Sequence, residues 1–292
     1  MLDFFHALRD PDSVFLVYAL VTGILASIAC GIVGTYVVVR RITYIAGGLA
    51  HCVFGGLGAA YYLERVHHWQ VYNPIYGWQP LDPLHGAVVA ALLAAMIIGF
   101  VSLRARQRED TIISALWAIG MAVGVLFVYL TPGYSQDLMS YLFGSILIVS
   151  PNDVWFLAVL DALIIAVALL FYKQFLAVCF DEEYARLRGL NVEFYYLLLL
   201  CLVALTVVLL VSVVGIILVI ALFTLPVAVA GQFTRIFWRI MAVAALLSMV
   251  FVTLGLALGY SLGLQPGATT VLVAGATYLL VLVASQARRL AR

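Results

Sequence analysis

Residues 173–234 read KQFLAVCFDEEYARLRGLNVEFYYLLLLCLVALTVVLLVSVVGIILVIALFTLPVAVAGQFT. The first part, Lys173–Glu193, carries seven charged side chains, whereas Phe194–Thr234 is a run of 41 residues without a charge. One membrane-spanning helix needs about 20 apolar residues, so this run is long enough for two. The sequence therefore predicts two spanning helices, divided near Ser212–Gly215, that follow a densely charged loop.

The composition of the whole chain agrees with a membrane protein. Of its 292 residues, 66% are hydrophobic and 10% are charged, and the mean hydropathy is +1.15. Soluble domains contain about 45–50% apolar and about 25% charged residues. The net charge is +1, and the absence of a basic patch argues against nucleic acid as a partner. Lipid must therefore solvate much of the surface, and we expect an all-α, polytopic membrane protein.

Uncharged runs set the predicted number of spans. Besides Phe194–Thr234, they cover Ser13–Val39, Ile42–Leu63, Pro83–Leu103, Thr111–Gln136, Val154–Tyr172 (interrupted only by Asp161) and Ile240–Ala287, the last again long enough for two helices. The total is about nine, in a single transmembrane domain that covers residues 1–292. Eight spans with one long re-entrant segment is the alternative.

Basic residues predict the orientation of these spans. Cytoplasmic loops of membrane proteins carry an excess of Lys and Arg. With nine spans and the N-terminus outside, only Arg9 and Arg65 of the 15 basic residues lie on the outer side. The C-terminus and the charged loop, Lys173–Glu193, are then cytoplasmic.

The charged loop contains a short amphipathic helix by its spacing. Phe180, Tyr184 and Leu187 recur at helical intervals, three acidic residues (Asp181–Glu183) lead, and Gly189 can end the helix. Membrane-surface helices favour basic polar faces, so the three acids favour docking to a partner protein over binding to anionic lipid. The chain has no GxxxxGK[ST] motif for nucleotide phosphates and no HExxH zinc motif, and we do not expect it to be an enzyme.

His51 is an ionisable residue near the middle of a predicted span, where such groups are costly. On a helix it shares one face with Gly47, Gly55 and Gly58. This face can pack closely against another helix, with the histidine as a buried hydrogen-bonding group. Alternatively it lines an ion path, where imidazole would suit Zn, Fe or Mn. The spacing leaves both interpretations open.

Asp161 is the other ionisable residue at this depth, within the apolar stretch WFLAVLDALIIAVALL. It can form a hydrogen bond to a neighbouring helix or face a wet cavity as part of an ion path. Both roles stay open at this point.

Four blocks of the sequence resemble the permease subunits of ATP-binding-cassette (ABC) importers for zinc, manganese and iron. The resemblance covers nearly the whole chain. The blocks are Gly31–Tyr44 with Leu49-Ala50-His51, Tyr141–Ser150 with Asp153, Asp181–Gly189, and Val214–Ala228. Each block alone is moderately specific, and their common order makes the resemblance strong.

The resemblance implies the rest of the machinery. It implies a type II ABC importer-like permease in the plasma membrane of a prokaryote, working as a homodimer with two cytoplasmic ATP-binding subunits and an extracytoplasmic metal-binding protein. No cofactor is implied besides the transported divalent metal ion. Within the charged loop, the ATPase-coupling residues that it implies are Asp181, Glu182, Ala185 and Gly189.

The resemblance also places His51 in the ion path, with one departure from the family pattern. Many members carry an acid four residues before this histidine, where the present chain has Gly47. The loss of a carboxylate ligand leaves open a weaker site, a different metal or a recruited residue such as Asp161. Two alternatives to metal import are an ABC permease for a metal chelate (siderophore) or vitamin, and a stand-alone secondary transporter.

Overall fold

The computed structural model describes residues 4, 14–73, 77–104, 109–132, 151–216 and 219–290. Long helices account for most of them. The elements are α1 (Val14–Val39), α2 (Thr43–His67), β1 (Gln70–Asn73), β2 (Gly77–Pro80), α3 (Pro83–Arg104), α4 (Glu109–Leu130), α5 (Pro151–Leu170), α6 (Tyr172–Phe180), α7 (Glu182–Leu187), α8 (Val192–Val214), α9 (Val219–Phe233), α10 (Phe237–Leu262) and α11 (Pro266–Leu290).

Seven helices within the described ranges are long and apolar enough to cross a membrane alone: α1, α2, α3, α4, α8, α10 and α11. Helices α5 and α6 are bent by 69° at Phe171, and together they form an eighth span if they are counted as one broken helix. Helix α9 has 15 residues, fewer than the approximately 20 that cross a bilayer without assistance. The predicted count of about nine is therefore not confirmed, because the second predicted span within Phe194–Thr234 corresponds to this short helix.

The uncharged run Phe194–Thr234 divides where the sequence predicts. Helix α8 ends at Val214, and Gly215 follows with φ +87°, a conformation that glycine adopts without steric cost. Helix α9 begins at Val219. The block Tyr141–Ser150, on which part of the resemblance rests, lies outside the described residues.

A short β-hairpin follows α2, although the sequence predicts an all-α protein. Strands β1 and β2 pair antiparallel, with Gln70 opposite Pro80 and Asn73 opposite Gly77. Tyr72 and Trp78 stand opposite each other with ring centroids 5.6 Å apart, and both are more than 60% exposed. The fold is nearly all-helical, and the strands were missed because the segments QVYN and GWQP do not alternate strictly between apolar and polar residues.

Helices α1 and α2 form the centre of the molecule. Helix α1 packs against α5, α8, α9 and α10, and α2 packs against α3 and α4. Small residues permit the closest approaches: Gly31 of α1 contacts the backbone of Ala245 in α10, and Gly56 of α2 contacts the backbone of Gly86 in α3. Close backbone approach at small residues is the usual mode of helix association in lipid, because lipid tails are as apolar as the side chains.

Candidate functional site

The glycine face of α2 packs directly against α4. A Cβ atom added to Gly55 would lie 2.9 Å from the carbonyl oxygen of Gly120, and one added to Gly58 would lie 2.9 Å from that of Gly124. No side chain larger than hydrogen fits between the two backbones at these points. The close-packing interpretation therefore holds for Gly55 and Gly58, which are covered by α4 and line no open path.

His51 lies on the same face of α2, but the packing against α4 leaves one of its ring nitrogens without a hydrogen bond. Its imidazole is half-buried and stacks on the indole of Trp117 in α4, with ring centroids 4.6 Å apart and planes 25° from parallel. Its Nδ1 atom is buried and has no hydrogen-bond partner among the described residues. A buried polar atom without a partner costs about 1–3 kcal/mol. An unprotonated imidazole nitrogen in this situation can donate its lone pair to a borderline divalent metal ion.

The position of Trp117 also leaves no room for a side chain at Gly47. A Cβ atom at Gly47 would lie 2.8 Å from Cζ3 of Trp117 and 2.6 Å from Cδ1 of Ile220. The indole thus occupies the volume next to His51 where an acidic side chain at position 47 would begin. Sequence reasoning found the missing acid but not Trp117, because 66 residues separate Trp117 from His51 and no local pattern connects them.

Tyr44 extends this aromatic contact towards the N-terminus of α2. Its ring lies 5.7 Å from that of Trp117, and its hydroxyl is 2.8 Å from Oγ of Ser114. The indole is therefore held between the rings of Tyr44 and His51. Trp117 thus covers one face of the imidazole.

Asp161 lies at a different helix contact. Its side chain is 2% exposed, its Oδ1 atom has no hydrogen-bond partner among the described residues, and its carboxyl faces the backbone of Ala29. It therefore belongs to the packing of α5 on α1, whereas His51 belongs to that of α2 on α4. No group of three or more His, Cys, Asp and Glu residues within the described ranges is placed to hold a metal ion.

The charged loop, Lys173–Glu193, folds as two helices that meet at Asp181. Asp181 is extended (φ −154°, ψ 101°), and its side chain accepts a hydrogen bond from the amide of Tyr184 at 2.9 Å. It is thus the N-cap of α7. The expected helix through Phe180, Tyr184 and Leu187 is wrong at its start, because Phe180 is the last residue of α6 and the extended Asp181 interrupts the helical backbone.

The end of α7 agrees with the sequence prediction. Gly189 has φ +77°, its amide donates to the carbonyl of Arg186, and the amide of Leu190 donates to the carbonyl of Ala185. These two bonds define a Schellman motif, in which glycine in the left-handed conformation closes a helix. Asp181 and Gly189 therefore define the shape of α7, a role that local hydrogen bonding explains.

The side chains of α7 separate into a buried and an exposed set. Ala185 is fully buried within the chain, and Glu182 pairs with the Arg40 guanidinium at 2.5 Å. Leu187 is 88% exposed and Tyr184 46%. The exposed apolar surface beside the acids is therefore available to another protein. The predicted coupling residues (Asp181, Glu182, Ala185 and Gly189) do not include Leu187. The place of Leu187 in the amphipathic pattern nevertheless indicated that its side chain could lie on the docking surface.

Comparison with known proteins identifies relatives over almost the entire chain. The model of the ABC 3 transport family matches residues 12–285. A probable metal transport system membrane protein of Chlamydia trachomatis is 40% identical over 88% of this chain and 85% of its own length. The manganese transport system membrane protein MntC of Listeria monocytogenes is 30% identical over 89% of this chain and 87% of its own length.

A solved structure has the same fold. PsaBC from Streptococcus pneumoniae, in complex with a Fab, matches with a TM-score of 0.82 and 29% identity, over 96% of this chain and 94% of that chain. The resemblance stated from the four sequence blocks is thereby confirmed. The chain belongs to the ABC 3 transport family.

Proposed function

We propose that this chain is the membrane-spanning permease subunit of an ABC importer for a divalent transition metal ion. Family membership over residues 12–285 is the observation that carries the proposal. Relatives named for metal and manganese transport support a metal ion as the cargo, with Mn²⁺ as the first ion to test. The metal is the substrate and not a resident cofactor.

In this proposal a separate protein supplies the energy. The sequence has no phosphate-binding loop for ATP, and α7 presents an exposed apolar surface next to three acids. Two cytoplasmic ATP-binding subunits would dock on the charged loops of two permease copies and move them on ATP binding. An extracytoplasmic binding protein would deliver the ion to the other side.

The proposed membrane topology has nine spans in one type II ABC importer-like permease domain, residues 1–292, in the plasma membrane of a prokaryote. Helix α9 is the short span, and α5 with α6 is the broken one. The N-terminus is outside and the C-terminus is cytoplasmic, because this arrangement leaves only Arg9 and Arg65 on the outer side. Proteolysis or thiol labelling of right-side-out and inverted vesicles tests the orientation.

His51 is the proposed ion-path residue, supported by its unpartnered Nδ1 atom and by the family motif Leu49-Ala50-His51. Asp161 was the second candidate, and we assign it to the packing of α5 on α1, since its carboxyl faces Ala29. Because Gly47 stands in place of an acid, the His51 imidazole would share the ion with ligands other than residue 47, or would bind it only transiently during passage.

Reconstitution tests the proposed function. The chain is incorporated into proteoliposomes with its ATPase subunit and binding protein, and uptake of radioactive Mn²⁺, Zn²⁺ and Fe²⁺ is measured with and without ATP. We expect ATP-dependent uptake of at least one free ion, and loss of uptake in His51→Ala with the fold intact. Uptake of only chelated metal would identify a chelate permease. Uptake without the ATPase, driven by a proton or sodium gradient, would identify a secondary transporter and refute the proposal.

A further inference from the structure

Arg40 joins three elements of the cytoplasmic end through one side chain. It lies in the short link between α1 and α2. Its Nη1 atom donates to the carbonyl of Val178 in α6 at 2.5 Å, and its Nη2 atom donates to Oε1 of Glu182 in α7 at 2.5 Å. The guanidinium also lies over the ring of Tyr196 in α8, 4.5 Å from its centroid.

The guanidinium suits this position physically. Its side chain is only 14% exposed, and a charge so far removed from water is tolerated when it is paired and hydrogen-bonded. Arginine presents several donors in a rigid planar fork and can stack on an aromatic ring at the same time. A lysine, with one flexible ammonium group, could not reproduce the three contacts together.

The link that carries Arg40 is tightly joined to both of its helices. The amide of Arg40 bonds to the carbonyl of Tyr36, and the amide of Ile42 bonds to that of Val37. Helix α2 begins at Thr43, and His51 follows eight residues later, about 12 Å along the helix axis at 1.5 Å per residue. A displacement of the link therefore moves the helix that carries the imidazole.

Helix α7 itself packs mainly against α6 and α8. Its polar connection to the α1–α2 link is the pair of Glu182 with Arg40. An open surface cleft of about 310 Å³ lies beside this pair, lined by Ile42, Phe180 and Tyr196 among others.

We propose that Arg40 is a positioning residue that transmits the movement of α7 to α2, and so couples the ATPase to the ion path at His51. This inference rests on the proposed function, since it presumes that an ATPase moves α7. It assigns the coupling to a residue 142 positions from Glu182 in sequence, outside the charged loop.

The test compares uptake with ATP consumption in the complete transporter. Arg40→Ala, Arg40→Lys, Glu182→Gln and the double variant Arg40→Ala/Glu182→Gln are reconstituted with the ATPase and binding protein, and Mn²⁺ uptake per ATP hydrolysed is measured. Arg41→Ala is the matched control, because this substitution removes the same charge from the same link. The Arg41 side chain is exposed and has no ion-pair partner among the residues that the structure describes.

We expect uptake per ATP to fall about fivefold or more in Arg40→Ala, Arg40→Lys and Glu182→Gln. A factor of about five is the lower end of the range over which one site typically changes the affinity of another. The double variant should be no worse than Arg40→Ala, because both changes break one connection. Arg41→Ala should match the wild-type ratio. A merely structural role would change the amount of assembled transporter but leave this ratio unaltered.

The other possible results of this experiment also decide for or against the role of Arg40. A ratio within twofold of wild type in assembled Arg40→Ala transporter overturns the inference. If Arg40→Ala does not assemble, Arg40→Lys decides alone, because lysine keeps the positive charge and most of the side chain but cannot reproduce the three contacts together. A wild-type transporter without ATP-dependent uptake of any tested metal would instead defeat the proposed function, and the two failures are thus distinguishable.

Discussion

Gly47 and Trp117 should be energetically coupled, and a double-mutant cycle can measure the coupling. The perturbation is Gly47→Ala, which adds one Cβ atom 2.8 Å from Cζ3 of Trp117 and 2.6 Å from Cδ1 of Ile220, both below the 3.4 Å of ordinary contact. The Ile220 methyl is the end of a flexible side chain and can rotate away. The indole is held between the rings of Tyr44 and His51 and can yield only by opening the stack.

The expected magnitude has two opposing parts. Extra methyl groups in packed sites cost about 1–3 kcal/mol, whereas alanine is favoured over glycine in a helix by about 1 kcal/mol. Gly47→Ala should therefore lower the free energy of unfolding by up to about 2 kcal/mol in the wild-type background. In a Trp117→Ala background the space is open, and the same change should raise it by up to about 1 kcal/mol.

The assay is thermal unfolding in detergent, followed by far-UV circular dichroism because the tryptophan content changes. A difference of 1 kcal/mol shifts the midpoint of a large domain by about 2–4 °C, so the change of sign is measurable. Gly275→Ala is the control, since a Cβ atom at Gly275 meets no heavy atom within 4 Å. An equal effect of Gly47→Ala in both backgrounds would show that Trp117 does not occupy the volume beside Gly47.

Three further predictions concern other parts of the chain. Leu187→Ser, at a side chain that is 88% exposed, should weaken binding of the ATPase subunit about tenfold (about 1.4 kcal/mol) without a change in the unfolding midpoint of the isolated permease; unchanged binding would exclude this surface as the docking site. Asp161→Asn keeps the shape of a side chain that is packed on α1, so Mn²⁺ uptake should stay within about threefold of wild type. This change is smaller than the effect of losing one hydrogen bond to a charged group. Near-complete loss of uptake in a folded variant would place Asp161 in the ion path. Gly31→Ala should lower the unfolding midpoint by several degrees because its Cβ atom would overlap the backbone of Ala245, whereas Gly231→Ala, with open space around it, should not; equal midpoints would contradict the close α1–α10 contact.

Features that depend on neighbouring residues in the sequence were predictable. The long apolar runs predict most of the spanning helices, because the hydrocarbon core demands a minimum length of apolar helix. Gly215 and Gly189 end helices where expected, because positive φ favours glycine. The N-cap bond of Asp181 to an amide three residues away is equally local, although the predicted helix began too early, at Phe180. These interactions are complete within a few residues, so they can be recognised before the partner helices are known.

Features that depend on which helix faces meet were decided by the tertiary structure alone. His51 stacks on Trp117, Gly47 leaves room for the same ring, and Arg40 reaches Glu182 across 142 residues. Lipid is as apolar as the helices themselves, so hydrophobicity indicates that a helix is in the membrane but not which neighbour it contacts. The choice of neighbour comes from the fit of small residues and rings between helices distant in sequence, and that fit exists only once the helices are assembled.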